Sequence, residues 1–338
     1  MNEPIEPRPW ERPVTGGPLR LAIVGVGAFA REYVLPAIDA SNHCETTVLV
    51  SPEVESIETA TGVERLTPES FHDGAAAAAY DAVYVATPNH LHRRVVQTAA
   101  SMGKPILCEK PIAPTAAGAR AIRDIVEEAG VPCLVGYRVQ FKPVMRSLRT
   151  AIRSGLIGIP VSAHSDVAFR VDTQETGGWR LNPDRGGGAL RDIGIYPINT
   201  LQFLLDRPLE VSWGDLRREP TLGDVDAHAA FALAGEDDFR ALCSASFAAE
   251  PTSHLRINGT EGLVRVDEPY HPSAQPTVTV VEHGTQRTIA PDPFDEYAAQ
   301  VDYFAQCVLR DEPPTPGAAE GVRDLERIEA IEEASADQ

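Results

Sequence analysis

Lysine is nearly missing from this chain. Of 30 basic residues only Lys104, Lys110 and Lys142 are lysines, and 49 acidic residues outweigh the basic ones to a net charge of −19. An excess of that size disfavours nucleic acid and anionic membranes as partners. Acid-rich, lysine-poor composition suits a protein of a salt-rich cytoplasm; a plain acidic protein from a GC-rich genome is the other reading. Cysteine is also scarce: Cys44, Cys108, Cys133, Cys243 and Cys307 are odd in number, scattered, and form no CxxC pair. This fits a reducing compartment and argues against a cysteine-based zinc site, and no HExxH occurs among the nine histidines, so no metal is expected. No apolar run approaches the roughly 18 residues of a membrane span. The opening "MNEPIEPRPWERP" has charges and prolines without the apolar core of a secretory signal. A cytoplasmic protein is the expectation.

What is present is an alternation. Residues 1–17 read as a Pro-rich arm. From 18 to 142, "LRLAIV", "ETTVLVS", "YDAVYVA", "KPILC" and "VPCLVGY" are apolar strands, and helically patterned stretches such as "LHRRVVQTAASMG" and "TAAGARAIRDIVEEAG" lie between them. Strands alternating with helices predict βαβ units and a doubly wound parallel sheet. Between 143 and 311 the pattern changes to consecutive strand-like runs with short turns, including "DAHAAFALA", "FRALCSASFA" and "SHLRINGTEGLVRVD". These predict an α+β domain with a large, mainly antiparallel sheet. Residues 312–338 form an acidic, partly helical tail. The expected fold class is therefore α/β, with a substrate-binding and oligomerisation domain after a nucleotide domain.

The first turn carries the nucleotide signal. "GVGAFA" places Gly25, Gly27, Ala28, Phe29 and Ala30 directly after the first strand and at the start of a helix. In that context GxGxxA is the dinucleotide fingerprint of the Rossmann fold. The first glycine allows the tight turn, the second lets backbone approach a pyrophosphate, and the small third residue allows close helix–strand contact. The helix N-terminus offers unpaired N–H groups to phosphate. Where an acid would bind the ribose 2′-OH, the second strand ends in Ser51. A short hydroxyl there leaves room for a 2′-phosphate and favours NADP. The absence of the usual arginine and the acidic "SPEVESIE" count the other way and keep NAD possible.

Ligands in open α/β sheets bind outside the C-terminal strand ends. Lys110, preceded by Glu109, ends the fourth strand; "ATPNHLH" brings Thr87, Pro88, Asn89 and His92 to the end of the third; Tyr137 and Arg138 end the fifth. Each has a bland reading as a loop or packing residue. A second cluster lies in "GGGALRDIGIYPINT", residues 186–200, where Asp192, Tyr196 and Asn199 are spaced to share one helix face. Trp179 and Arg180 precede those glycines, and Arg180 has either a 2′-phosphate or a surface carboxylate as its partner.

Taken together, "GVGAFA", "ATPNHLH", "CEKP", "VGYRVQFKP", "GGWRLNP", "GGGALRDIGIYPINT" and "INGTEG" resemble the glucose–fructose oxidoreductase, inositol dehydrogenase and rhizopine-catabolism (Gfo/Idh/MocA) family, in order and over most of the chain. The resemblance implies a Rossmann domain followed by a sheet domain used in oligomer contacts, hence a homodimer or homotetramer. It makes Lys110 the family's signature catalytic lysine. Tyr196 stands where inositol dehydrogenase-like members carry histidine and aldose dehydrogenases carry tyrosine. Stretches such as "CETTVLVS" and "HLRINGTEG" are similar to NADP-dependent xylose-oxidising members from salt-loving archaea. The implied substrate is a small sugar, a D-xylose-like aldose oxidised at C1 to the lactone. A tyrosine hydroxyl, titrating ordinarily near pH ~10, is a poor base at neutral pH, and a nearby ammonium such as that of Lys110 favours its phenolate. Asp192 is then a sugar or lysine contact, Tyr137, Arg138 and Asn199 are substrate contacts, and Trp179 and Arg180 border substrate and cofactor. A diol, anhydrosugar or inositol-like substrate, a noncatalytic sugar-pathway regulator, and a cofactor cycling between two sugars are the alternatives.

Overall fold

The computed structural model describes residues 17–57, 61–171, 177–272 and 274–336. The chain forms two compact units, one of residues 1–138 and 295–323, the other of residues 139–294 and 324–338.

In unit 1 six parallel strands form one sheet: β1 (Leu19–Val24), β2 (Cys44–Val50), β3 (Glu64–Leu66), β4 (Ala82–Val85), β5 (Ile106–Cys108) and β6 (Cys133–Val135), in the order β3-β2-β1-β4-β5-β6. The connecting helices are α1 (Leu35–Asp39, entered through a wider i→i+5 turn over Ala30–Val34), α2 (Pro68–His72), α3 (His92–Ser101) and α4 (Ala116–Ala129). Every residue of β4, β5 and β6 is buried, as expected where helices cover both faces of a parallel sheet. Helix α4 shows how local chemistry sets the boundaries. Thr115 accepts from the Gly118 N–H at its start, and Gly130 closes it at φ 62°. Strand order reverses between β1 and β4, so the switch point lies where Gly25 and Ala86 leave the sheet. The short edge strand β3 is an addition to the five strands read from the sequence; its exposed Glu64 and Arg65 hide the apolar signal.

Unit 2 starts with α5 (Pro143–Arg153), β7 (Pro160–Ala168), α6 (Gly177–Arg180) and α7 (Ile195–Leu205, entered through a second wide turn over Leu190–Gly194). There follow β8 (Glu210–Arg218), β9 (Asp226–Ala234), β10 (Arg240–Ser246), β11 (Thr252–Gly259), β12 (Gly262–Asp267), β13 (Thr277–Glu282) and β14 (Thr285–Ile289). The sheet order is β14-β13-β12-β11-β7-β10-β9-β8, and only the β7–β10 pair is parallel. Strand β9 alternates strictly between buried and half-exposed residues, and Ala227, Ala229, Phe231 and Leu233 fill its inner face. The segment leading into α7 lies on that inner side, where a side chain at Gly194 would come within 3.4 Å of the Ala245 methyl on β10.

Helix α8 (Glu296–Arg310) belongs to unit 1, although its sequence position adjoins the strands of unit 2. Its Tyr297 ring contacts Phe29 and Tyr33 at 5.7 and 5.4 Å, and Asp302 accepts a hydrogen bond from Ser41. Helix α9 (Ala318–Ala336) contains the division between the units at residue 323.

Candidate active site

The nucleotide turn is built by exclusion of side chains. Gly25 has φ 101°, and a Cβ on it would sit 2.6 Å from the Thr87 amide nitrogen and 2.7 Å from the Ala86 carbonyl carbon. The first loop therefore crosses the β4 loop in direct backbone contact, which only glycine permits. Gly27 faces open space, with no atom within 4 Å of where a Cβ would stand, so backbone can approach a ligand there. Ala28 is exposed at the helix start, Ala30 is buried beneath it, and Phe29 packs against Tyr33 and Tyr297. Ser51 is buried at the end of β2, and its hydroxyl accepts from the Glu53 N–H at 3.4 Å. Thr87 and Pro88 are half-buried and Asn89 is buried; among the described residues the enclosed Thr87 Oγ1 has no hydrogen-bond partner. Open backbone at Gly27 and an unsatisfied hydroxyl on Thr87, whose amide abuts Gly25, fit a dinucleotide.

Lys110 follows β5, half-buried, and its peptide bond to Pro111 is cis. The Glu109 carboxylate beneath it accepts from the Tyr84 hydroxyl at 2.7 Å and from the Lys110 N–H at 3.3 Å. A Cβ on Gly136 would lie 3.0 Å from that carboxylate, so β6 presses directly on it. Burial holds the Glu109 carboxyl above its ordinary range, against the pull of the Tyr84 hydrogen bond and the Lys110 charge. Glu109 thus positions the loop carrying Lys110.

Three candidate ligand contacts of this unit lie buried. His92, a candidate cofactor contact, is fully buried, with Nε2 2.8 Å from the Thr87 carbonyl and Nδ1 3.2 Å from the Ile112 carbonyl. Its ring ties the β4 and β5 loops together. Arg138, a candidate substrate contact, is buried in an ion pair with Glu296 at 2.9 Å and lies over the Tyr297 ring. Tyr137 is likewise a core residue, 2% exposed. The arginine of a strand end was drawn inward because α8, far away in sequence, brings a buried carboxylate to it.

The second set of groups stands in unit 2. Arg180 donates from Nε to the buried Asp192 carboxylate at 2.7 Å, and its guanidinium lies 4.7 Å above the Trp179 ring. Asp192 holds the Arg180 pKa above its ordinary value, with a smaller contribution from Tyr196. Within its own unit, Arg180 thus pairs with a buried carboxylate. Tyr196 is half-buried, its ring stacked on Tyr270 at 5.7 Å with an interplanar angle of 15°. The Tyr270 hydroxyl meets Ser165 Oγ at 2.7 Å, and burial pushes its pKa far above the usual range. Tyr270 is therefore a fixed neutral platform under Tyr196.

The wide turn over Leu190–Gly194 changes the face that spacing suggested, since α-helical i, i+4 stacking does not hold through it. Asn199, a candidate substrate contact, is 2% exposed, accepts from Gln140 Nε2 at 2.9 Å and donates to Asp324 Oδ2 at 2.8 Å in a buried network. Sequence reading also passed over Tyr270, Tyr84 and Asp226. Tyr270 lies in the irregular "VDEPYHPS", Tyr84 reads as strand core, and Asp226 as the polar start of a strand.

A doubly wound sheet with a glycine turn at its switch point is the architecture of a dinucleotide-binding unit. Comparison with known proteins agrees. Residues 19–137 match the model of an oxidoreductase family with an NAD-binding Rossmann fold, and residues 145–265 match the GFO/IDH/MocA C-terminal domain. The chain belongs to the Gfo/Idh/MocA oxidoreductase family. It is 38% identical to D-xylose 1-dehydrogenase [NADP(+)] of Haloarcula marismortui, over 97% of this chain and 94% of that protein. Its structure resembles that of aldose-aldose oxidoreductase from Caulobacter crescentus, with a TM-score of 0.87, 29% identity, and coverage of 95% and 98% of the two chains. It also resembles a 3-ketoreductase from Actinomadura kijaniata solved with NADP and TDP-benzene, with a TM-score of 0.84, 25% identity, and coverage of 94% and 98%. Among the described residues no helix is long and apolar enough to cross a membrane, and no group of His, Cys, Asp and Glu could hold a metal ion.

Proposed function

We propose that the protein is an NADP-dependent aldose dehydrogenase that oxidises a D-xylose-like sugar at C1 to the lactone. The observation that carries this reading is the similarity to an NADP-dependent D-xylose 1-dehydrogenase along 97% of the chain. Tyr196 stands in the proton-accepting position of that chemistry. When bound, the nicotinamide accepts the hydride leaving sugar C1. The Tyr196 oxygen takes the proton of the C1 hydroxyl, so the C1–H and O–H bonds break as the carbonyl forms. Lys110, after the end of β5, is the second residue assigned to proton transfer, and the Arg180–Asp192 pair orients the tyrosine segment. The Gly25–Gly27 turn receives the pyrophosphate, and Ser51, an uncharged group at the end of β2, leaves space for a 2′-phosphate.

Steady-state assays of aldoses, diols, anhydrosugars and cyclic polyols with NADP and NAD test the reading. We expect the highest kcat/KM with an aldopentose and NADP. A clear preference for NAD overturns the cofactor assignment, and a preference for an inositol-like ring overturns the substrate class. Tyr196→Phe is expected to lower kcat by about 10²–10⁴-fold; near-normal turnover removes Tyr196 from proton transfer.

A further inference from the structure

The tyrosine segment begins at three glycines, Gly186, Gly187 and Gly188, whose conformations are set from two sides. On one side, the Gly188 N–H donates to the Arg180 carbonyl at 3.0 Å, and a Cβ on Gly187 would overlap that same carbonyl. On the other side stands Asp226, the first residue of β9. Its Oδ2 accepts from the Leu190 N–H at 2.7 Å, and a Cβ on Gly188 (φ 117°) would overlap its Oδ1. One carboxylate therefore occupies the place of a glycine side chain and also satisfies a backbone donor at the mouth of the helix carrying Asp192 and Tyr196.

We infer that Asp226 is a positioning residue for the reaction: its carboxylate pins the glycine loop and the Leu190 N–H, and thereby places Arg180, Asp192 and Tyr196. The inference rests on the reading of Tyr196 as proton acceptor. Arg191, one residue beyond the anchored amide, pairs with Glu332 of α9 at 2.8 Å, and Arg218 of β8 stands opposite Asp226 in the sheet register. The Arg191 charge favours ionised Asp226 and the Glu332 charge opposes it. Burial outweighs both, pushing the carboxyl up to about 7. An ionised carboxylate accepts a backbone N–H more strongly than the neutral acid. The anchor therefore tightens as pH rises through neutrality.

The test compares wild type with Asp226→Asn, which keeps an acceptor oxygen and loses the titration, and with Asp226→Ala, which loses the anchor. Two readouts are taken from pH 5.5 to 8.5, a range of about 1.5 units either side of the expected midpoint. One is kcat with NADP and the favoured sugar. The other is emission from Trp179, which adjoins the glycine loop, in protein whose remaining tryptophans, Trp10 and Trp213, are replaced by Phe. We expect the ratio of wild-type to D226N kcat to rise about fivefold across a midpoint near 7, as a charge-assisted bond replaces a neutral one. Trp179 emission should titrate with the same midpoint in wild type and stay flat in D226N. Asp226→Ala should lower kcat at every pH while the NADP dissociation constant stays within about twofold, because the glycine turn of unit 1 is untouched. A D226N protein that keeps the wild-type emission titration, or a D226A protein with wild-type kcat, overturns the assignment. Full activity of Tyr196→Phe would instead remove the tyrosine from the mechanism. The emission titration does not depend on turnover, so it still decides whether Asp226 anchors the loop.

Discussion

Without exposed surface, His92 is held neutral, burial lowering its pKa to about 4 although the Thr87 and Ile112 carbonyls beside its ring nitrogens favour the protonated form. Because the folded value lies below the ordinary one near 6.5, this contribution to stability is complete above pH ~6.5. It is lost as pH falls toward 4, by about 3 kcal/mol over the whole interval. Denaturant titrations between pH 7 and 4.5 should show wild-type stability falling, and His92→Gln should flatten part of that slope; an identical slope in the variant would rule His92 out as its source. Arg138 and Asn199 make the same point by another route. Spacing placed both at strand ends or on a polar helix face, where they read as ligands for substrate. Their actual partners are Glu296, 158 residues away, and Asp324, 125 residues away. A polar side chain leaving solvent must find a partner, and no local pattern names one so remote. Lys110 differs because its position depends only on where β5 stops, and that boundary is written in "ILCEKP".

At the level of elements, the contact between the first loop and the end of β4 is the most constrained feature of unit 1. Gly25→Ala would place a methyl group 2.6 Å from the Thr87 amide in a backbone conformation at φ 101° that alanine resists. The expected result is a loss of NADP affinity of at least about tenfold, or of 1.4 kcal/mol or more, measured by equilibrium binding; wild-type affinity would show that the loop can relax without disturbing the nucleotide site. The parallel strands and their helices were legible because apolar runs and helical periodicity are local signals. The wide turns over Ala30–Val34 and Leu190–Gly194 were not, since an extra residue in a helical turn leaves composition unchanged. They fall directly after the glycine turn and at the entry to the Tyr196 helix, and such turns are frequent at functional sites. Helix α8 was visible as a helix, but its membership of unit 1 follows from the Tyr297 ring and the Glu296 carboxylate, whose partners lie near the start of the chain and at the end of β6.

For the molecule as a whole, the eight-stranded sheet has one covered and one open face. A row of opposed residues, Trp213, Ala232, Leu242, His164, Arg256 and Arg265, crosses six strands on the open side. Leu242 is 54% exposed and Trp213 42%. Leu242 and Trp213 are apolar side chains that a second copy of this chain would remove from solvent. Sedimentation should give a dimer or tetramer for wild type and a smaller species for Leu242→Glu; a wild-type monomer would overturn the assignment. The alternation of strands and helices, the glycine turn, the strand-end lysine and the change to an antiparallel sheet were all determined by the sequence itself. Each rests on periodicity, turn chemistry or backbone sterics acting over a few residues. Which distant group each polar side chain pairs with was decided only by the tertiary structure. Arg138 pairs with Glu296, Asn199 with Asp324 and Arg180 with Asp192, while Asp226 is set against Gly188. The reason is physical: desolvation forces each buried polar group into a pair, and the fold alone determines which distant partner is near enough to satisfy it.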